Sequence, residues 1–557
     1  LHINNDDIYY NNIFIGNSKR LFVTINNIEI KNDNLILYGT LPKIDNIIEK
    51  IFIVDQNNKK YEFTYYDLDV NTGNYSCIDK KHKIYRKGIH IVLPLKGITN
   101  LKFITSKNAE ISFNFSYSAK INDTFRSLYL NNENYILKNN KINNCLDIYS
   151  NNLLNKINFE LKCIFNLLKK KKIKSFLLRE CSYLYKFFKR KEIWLISDRL
   201  NMAGDNGEAI FKYLLSNKEV KSSIHFVLSK SSSDYNRMKK YGNVIDPKSF
   251  KYKMLFLNSD LIISSHADDY VINPFGNGKY YLSDLYKFKF VFLQHGIIKD
   301  DLSPWLNINS KPIDIFITSA QAEYKSLYEC NYNYSSEVVK LTGLPRYDYL
   351  LDGDVPKEKT ILLAPTWRSS LASKINPNTG EREYNDKFKE SDYFKFYNKL
   401  INDKRILNSL KKHGYRIRFI PHPNTLPQIK DFIGNEFVDF QSSNISYNKE
   451  FKRNSLLITD YSSVFFDFAY LKKPVIYSQF DAEEFYKQQI YDKGYFDFKN
   501  NGFGPVCNDY ETTVNKIIKA IENNCQTEEK YLNRINKFFF KFDNKNCERV
   551  YNEIKKI

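Results

Sequence analysis

Hydrophobic and polar positions are arranged in three different ways along this chain. Over residues 1–130, short apolar or alternating runs recur at Ile28–Leu41, Ile48–Asp55, Lys60–Val70, Ile89–Lys96, Leu101–Ser106 and Glu110–Ser118. They are rich in Ile, Val, Phe and Tyr, and Asn, Asp, Gly and Lys clusters separate them. Strand formers punctuated this way predict an all-β, antiparallel, sandwich-like domain over 1–130. The period then lengthens. Leu153, Leu154, Ile157, Leu161, Ile164, Phe165 and Leu168 follow helical spacing, and Lys169–Lys191 carries ten basic side chains against one acidic. Residues 131–192 therefore read as a basic helical linker. From Ile193 on, compact apolar runs alternate with helical stretches. They are Ile193–Ser197, Ser223–Ser229, Leu261–Ser264, Phe290–Gln294, Ile313–Thr318, Thr360–Ala364, Arg416–Ile420, Leu456–Thr459 and Val475–Ser478. Such a sequence winds parallel sheets through helical crossovers. Leu350–Lys359, with Gly353 and Pro356, divides it into two facing Rossmann-like domains, 193–350 and 351–557.

Composition narrows the class. The chain has 557 residues and 43% hydrophobic positions, enough for several buried cores. Its +21 net charge points to a polyanionic partner or an anionic membrane face. The 8 cysteines form no C-x-x-C pair, which fits free thiols in a reducing compartment rather than a zinc ribbon. No run reaches the ~20 apolar residues of a membrane span. The opening Leu1-His2-Ile3 matches neither a signal peptide nor an initiator, so a part upstream is expected to have been removed.

Open parallel sheets hold ligands beyond the carboxyl ends of their strands, so the residues following each strand carry the candidate chemistry. After Phe290–Gln294 come His295 and Gly296: a glycine turn exposing an imidazole suited to taking a hydroxyl proton, or a buried satisfied histidine. After Arg416–Ile420, Pro421 and Pro423 flank His422, either a phosphate donor or a turn histidine. After Thr360–Ala364 come Pro365, Thr366 and Arg368, and Arg346 lies in Gly343-Leu344-Pro345-Arg346. Each arginine reads equally as an oxyanion clamp or an ion pair. After Leu456–Thr459, Asp460-Tyr461-Ser462-Ser463 opens a helix, with Ser462 or Ser463 as its cap and backbone N–H groups for phosphate. Asp467, four residues past Ser463, either accepts from polyol or ribose hydroxyls or is a solvated carboxylate behind a plain helix cap. Gly204–Glu208 is a possible acceptor contact or a simple helix start, and His266 likewise follows a strand. His225 lies within a strand. No H-E-x-x-H or carboxylate cluster calls for a metal.

Taken in order, these strings resemble the CDP-glycerol glycerophosphotransferase family, the teichoic-acid and capsule polyol-phosphate polymerases. The resemblance runs from about Ile193 to Ala520. It is carried by Trp194–Arg199 with Ala203–Glu208, Leu293-Gln294-His295-Gly296, Gly343–Asp348, Ala364–Arg368, Pro421-His422-Pro423, and Thr459–Ser463 with Asp467. It implies a GT-B fold and transfer of a polyol phosphate from CDP-glycerol, or a relative such as CDP-ribitol, with release of CMP. It also implies His295 as general base, His422 on the pyrophosphate, and donor contacts from Arg346, Pro365, Thr366, Ser462, Ser463 and Asp467. No cofactor or metal is implied, since the CDP-linked polyol is a substrate. The family acts at the inner face of the bacterial cell membrane as a cytoplasmic, peripheral protein, on a lipid-linked or free polyol-phosphate or saccharide acceptor. One departure stands out: wall-teichoic polymerases follow His-Gly with Thr-Pro-Leu-Lys, and here Ile297-Ile298-Lys299-Asp300 follows, which is closer to the capsule-associated branch.

Three alternatives share parts of the pattern. A sugar-nucleotide GT-B glycosyltransferase would prefer UDP or GDP sugars. A non-enzymatic polyanion- or carbohydrate-binding protein would bind polymer without releasing CMP. A nucleic-acid binder has the least support, because no recognised binding motif accompanies the charge.

Overall fold

The computed structural model describes the chain apart from residues 1, 5–6, 11–12, 18–21, 43–50, 70–84, 106–107, 109, 116–126, 130–134, 141–142, 309, 312, 354, 356–357, 372, 375–381, 442–444 and 489–491. Cys77, Pro356 and the outer ends of four expected strands (48–50, 70, 106 and 116–118) lie outside the described residues. The other seven cysteines are free.

His2–Asn4, Asp7–Tyr10 and Ile13–Asn17 form a small sheet of their own, and the strands from Phe22 to Ser150 join in a second sheet, with Ile51–Asp55 and Lys60–Tyr61 branching from Asn100–Thr105, around an apolar core in which Val23, Leu37, Ile53, Ile91, Phe103 and Leu146 are buried. The expected run Ile28–Leu41 is two strands, Phe22–Lys31 and Asn34–Pro42, paired antiparallel. Asn32 and Asp33 turn the chain between them with φ of 49° and 58°, the left-handed values a two-residue hairpin needs. The region is not wholly antiparallel, because Glu110–Phe115 runs parallel to Phe22–Lys31. Nor does it stop near 130. Tyr135–Asn140 pairs with Cys145–Ser150, which joins Asn100–Thr105 in the same sheet. Helical structure begins at Leu153. Two helices follow, α1 (Leu153–Lys169) and α2 (Ile173–Phe188), and Leu167 and Leu178 anchor them to the core of the next sheet. Arg179 on α2 is fully buried and bonded to Glu160 and to Asp284 at 2.6 Å, which fixes the pair.

Two parallel sheets make up the rest. The first runs in the order Val244–Ile245, Ser223–Val227, Ile193–Ser197, Leu261–Ser264, Lys289–Phe292, Ile315–Thr318, Val339–Leu341. The second runs Val438–Phe440, Arg416–Phe419, Thr360–Leu363, Leu456–Thr459, Val475–Ser478, Val506–Cys507. Both share the doubly wound order, in which the third, second and first strands precede the fourth and later ones. Chain direction of growth reverses between the first and fourth strands. The inner strands are buried on both faces, which is why they read as unbroken apolar runs. The carboxyl-terminal segment departs from a simple division at 351. Phe539 bridges Ala320, and the helix Asn546–Ile554 is tied by Asn546 and Cys547 N–H groups to Asp348, so the last turns pack on the first sheet's side.

Candidate active site in the cleft between the sheets

A reversal of strand order opens a crevice at the strands' carboxyl ends. In the first sheet the residues there are Asp198-Arg199 and Ser265-His266, and the neighbouring strand delivers His295. In the second they are Pro365-Thr366 and Asp460–Ser463, with His422 delivered from the next strand out.

The turn carrying His295 is held from below. Gln294, not Gly296, adopts the left-handed conformation, with φ 63°. Gly296 instead allows a close approach: a Cβ there would meet Ser463 Oγ, from the opposite sheet, at 3.3 Å, so that side chain would have to give by a few tenths of an ångström. Asn206 Nδ2 donates to Gln294 O at 2.8 Å, and Arg346 Nη1 donates to His295 O at 3.0 Å. Below them the buried Glu323 carboxylate accepts from Ile298 N at 2.8 Å, Ser319 N at 2.8 Å and Gln294 Nε2 at 3.1 Å. Burial pushes this carboxyl up to about 7 despite those donors. The Gly204–Glu208 loop is thus a support for the histidine turn: Asn206 is wholly buried, and Asp198 accepts the Gly207 and Glu208 N–H groups. Ile297 and Ile298 point into apolar cores, so neither substitutes for a polar donor contact.

The His295 ring keeps an exposed edge toward the cleft but is crowded by its walls. It stacks on His266, with centroids 4.8 Å apart and planes 6° from parallel. Burial, with His266, Arg199 and Arg346 nearby, lowers it to about 4 against the pull of Asp205. His422 is lowered to about 4 as well, by burial and Arg199, with Asp460 opposing. Its Nδ1 accepts from Asn424 N at 3.1 Å. In the neutral ring the proton therefore lies on Nε2, which makes that edge a donor. Trp367 stacks beside it, centroids 5.9 Å apart.

Two arginines read from the sequence as possible clamps are committed elsewhere. Arg346 donates from Nε and Nη2 to Asp467 at 2.7 and 2.8 Å and from Nη1 to Asp205 at 2.5 Å. The guanidinium belongs to one half and Asp467 to the other, so this is a bidentate clasp between them that engages both Asp467 oxygens. Arg368 is buried within the second half. It donates to Asp481 at 2.7 Å, to Asp460 at 2.9 Å and to Thr366 O at 2.7 Å, boxed in by Tyr393, Tyr461 and Phe485. Neither hydroxyl of Ser462 and Ser463 caps the helix Val464–Tyr470, because Ser463 already has helical φ and ψ and its side chain makes no cap bond. Both are half-buried at the cleft wall. Buried Pro365 precedes Thr366, whose N–H donates to Asp460 at 2.8 Å and whose buried Oγ1 has no partner.

Sequence reasoning gave Arg199 no role. It lies exposed at the end of Ile193–Ser197, and its Nε donates to His266 Nε2 at 3.4 Å. Its charge depresses both His295 and His422, so it is near groups of both sheets. The rule that a crevice forms where strand order reverses would have singled it out, had that order been known.

A family model, CDP-Glycerol:Poly(glycerophosphate) glycerophosphotransferase, matches residues 179–556. The minor teichoic acid biosynthesis protein GgaB of Bacillus subtilis (strain 168) is 41% identical over 449 residues, 79% of this chain and 49% of that protein. The teichoic acid poly(ribitol-phosphate) polymerase of Bacillus spizizenii is 28% identical over 234 residues, 39% of this chain and 33% of that one. The chain therefore spans half or less of these relatives' length. A solved structure of the wall teichoic acid polymerase TagF aligns with a TM-score of 0.48 at 16% identity, over 72% of this chain and 98% of that chain.

Proposed function

This chain belongs to the CDP-Glycerol:Poly(glycerophosphate) glycerophosphotransferase family, and on that footing we propose that it transfers a polyol phosphate, glycerol phosphate foremost, from a CDP-linked donor to a hydroxyl of a growing teichoic-acid-like or capsular polymer. The acceptor oxygen bonds to the β-phosphorus of the donor. The bond from that phosphorus to the bridging oxygen breaks, its electron pair leaves on CMP, and the acceptor proton passes to His295. The CDP-linked polyol is substrate, and neither cofactor nor metal takes part.

The observation that carries this proposal is that the His295 turn lies against the opposite half: Arg346 bonds His295 O and clasps Asp467, Ser463 Oγ is 3.3 Å from where a Cβ on Gly296 would sit, and Arg199 acts on both His295 and His422. A diphosphate spanning the cleft meets an imidazole at each end. His295 is neutral at pH 7, ready to accept a proton, and an arriving anion raises its affinity toward the range where a base is effective. His422 Nε2–H donates to the departing phosphate, and Ser462 and Ser463 add hydroxyls. Glycerol and ribitol donors share the diphosphate and differ only in the polyol. In this proposal the two halves are the GT-B pair, with the donor mostly on the second and the acceptor entering from the first. Incubating the full chain separately with CDP-glycerol and CDP-ribitol, with a short polyol-phosphate primer, tests it. CMP release and primer extension with one of them is expected. Release from UDP or GDP sugars instead would replace it with a glycosyltransferase.

We also propose that the chain works at the inner face of the cell membrane. No helix among the described residues is long and apolar enough to cross a membrane. The pair α1 and α2 nonetheless exposes Leu153, Leu154, Phe165, Leu184, Phe187 and Phe188, the last two at 85% and 74%. Lys169–Lys172 and Lys189–Lys191 flank them. Apolar side chains ringed by cations suit the interface of an anionic bilayer.

A further inference from the structure

We propose that Arg199 is the cation that holds the non-bridging phosphate oxygens of the donor diphosphate from the first sheet's side. The inference rests on the polyol-phosphate transfer proposed above, and it gives a binding role to a residue that lies within the Trp194–Arg199 string but to which the resemblance assigns none.

Charge in the cleft makes such a cation necessary. Arg346 is paired with Asp205 and Asp467, and Arg368 with Asp460 and Asp481. These four carboxylates face only two guanidiniums, so each cluster is left with a formal negative charge. Both histidines are neutral at pH 7. A diphosphate diester carries two negative charges, and without further cations it would enter a repulsive cleft. Arg199 has no carboxylate partner among the described residues. Its one hydrogen bond is from Nε to His266 Nε2, which leaves both Nη groups for an anion. Arg382, over the Trp367 ring, offers a second cation on the His422 side, with its Nη1 on Ser373 O.

Arg199 is also held in place. Because His266 Nε2 accepts from Arg199, the neutral ring carries its proton on Nδ1, and Nδ1 faces Asp268 Oδ2 at 3.6 Å. Asp268, His266 and Arg199 thus form a row that fixes one edge of the guanidinium and turns the other outward. The position agrees with the topology: Arg199 and His266 follow the two strands between which the first sheet's order reverses. A guanidinium offers two parallel N–H bonds to a phosphate, which a lysine ammonium cannot reproduce.

The test uses the full chain carrying Arg199→Gln or Arg199→Lys. Arg199 is exposed and makes one long hydrogen bond, to His266, so both variants are expected to keep the wild-type melting temperature. Calorimetry measures binding of inorganic pyrophosphate, CDP and a glycerol-phosphate oligomer at low salt. Arg199→Gln is expected to weaken pyrophosphate and CDP binding tenfold or more and Arg199→Lys less, with the oligomer unaffected. The imidazole titrations of His295 and His422 should both move to higher pH in Arg199→Gln. Wild-type affinity for CDP in Arg199→Gln overturns the assignment, as does weakened oligomer binding with CDP unchanged. If wild type binds CDP in an Arg199-dependent way yet releases no CMP from either polyol donor, the anion site stands and the transfer reaction falls.

Discussion

His295 and His422 differ in what their surroundings ask of them. His295 accepts a proton, and general-base groups typically contribute about 10²–10⁴-fold. His295→Ala should therefore lower kcat for CMP release by about that factor, with the Kd for CDP little changed; a near-wild-type kcat removes the base assignment. pH gives a second readout. The free-enzyme histidine is lowered to about 4, so the acid limb of kcat/KM should fall near that pH, with activity present above it and lost as pH drops through it. The bound diphosphate raises the same group, so the acid limb of kcat should lie at higher pH than that of kcat/KM. Glu323 acts one step back. In Glu323→Gln an amide N–H is turned toward a backbone N–H that the carboxylate accepted, a loss of about 1–3 kcal/mol. Both the denaturation midpoint and kcat should fall, whereas a chain merely destabilised would recover full kcat at low temperature.

Strands were the most legible elements, and for a physical reason. Ile193–Ser197, Leu261–Ser264, Leu456–Thr459 and Val475–Ser478 are wholly buried runs whose limits in the chain are also their limits in the sheet. Edge strands such as Val244–Ile245 and Val438–Phe440 are too short to carry a period. The pairings were not legible. Arg346 and Asp467 are 121 residues apart and Arg368 and Asp481 are 113 apart, so the ion pairs these arginines make could not be read from the chain. The backbone choice at Gln294 was equally hidden, since a glycine two residues on looked like the turn residue. The α1–α2 pair was legible as a basic helical segment, and its apolar side gives a prediction at this scale. Burying a phenylalanine in an apolar phase is worth about 1.5–3 kcal/mol. Phe187→Glu with Phe188→Glu should cut binding to phosphatidylglycerol vesicles more than tenfold in flotation, with CMP release on a soluble primer unchanged. Equal flotation would show that this face does not meet lipid.

At the scale of the molecule, the two parallel sheets are joined across the cleft by the Arg346 clasp, and the last helix returns to the first sheet. Removing one partner of a buried charge pair typically costs about 3–5 kcal/mol. Asp467→Asn should therefore lower the melting temperature and open the cleft, seen as a larger radius of gyration by X-ray scattering; an unchanged radius would show that the clasp does not hold the halves together. The +21 charge acts over longer distances, so acceptor polymer binding should weaken as salt shortens the screening length. All of this depends on one diphosphate being shared by imidazoles on opposite sheets. Imidazole NMR of the full chain, labelled at histidine and titrated with CDP-glycerol, reports on both at once. The account predicts that the His295 and His422 signals shift together with a single dissociation constant. A titration that moves one of them and leaves the other unchanged would contradict it.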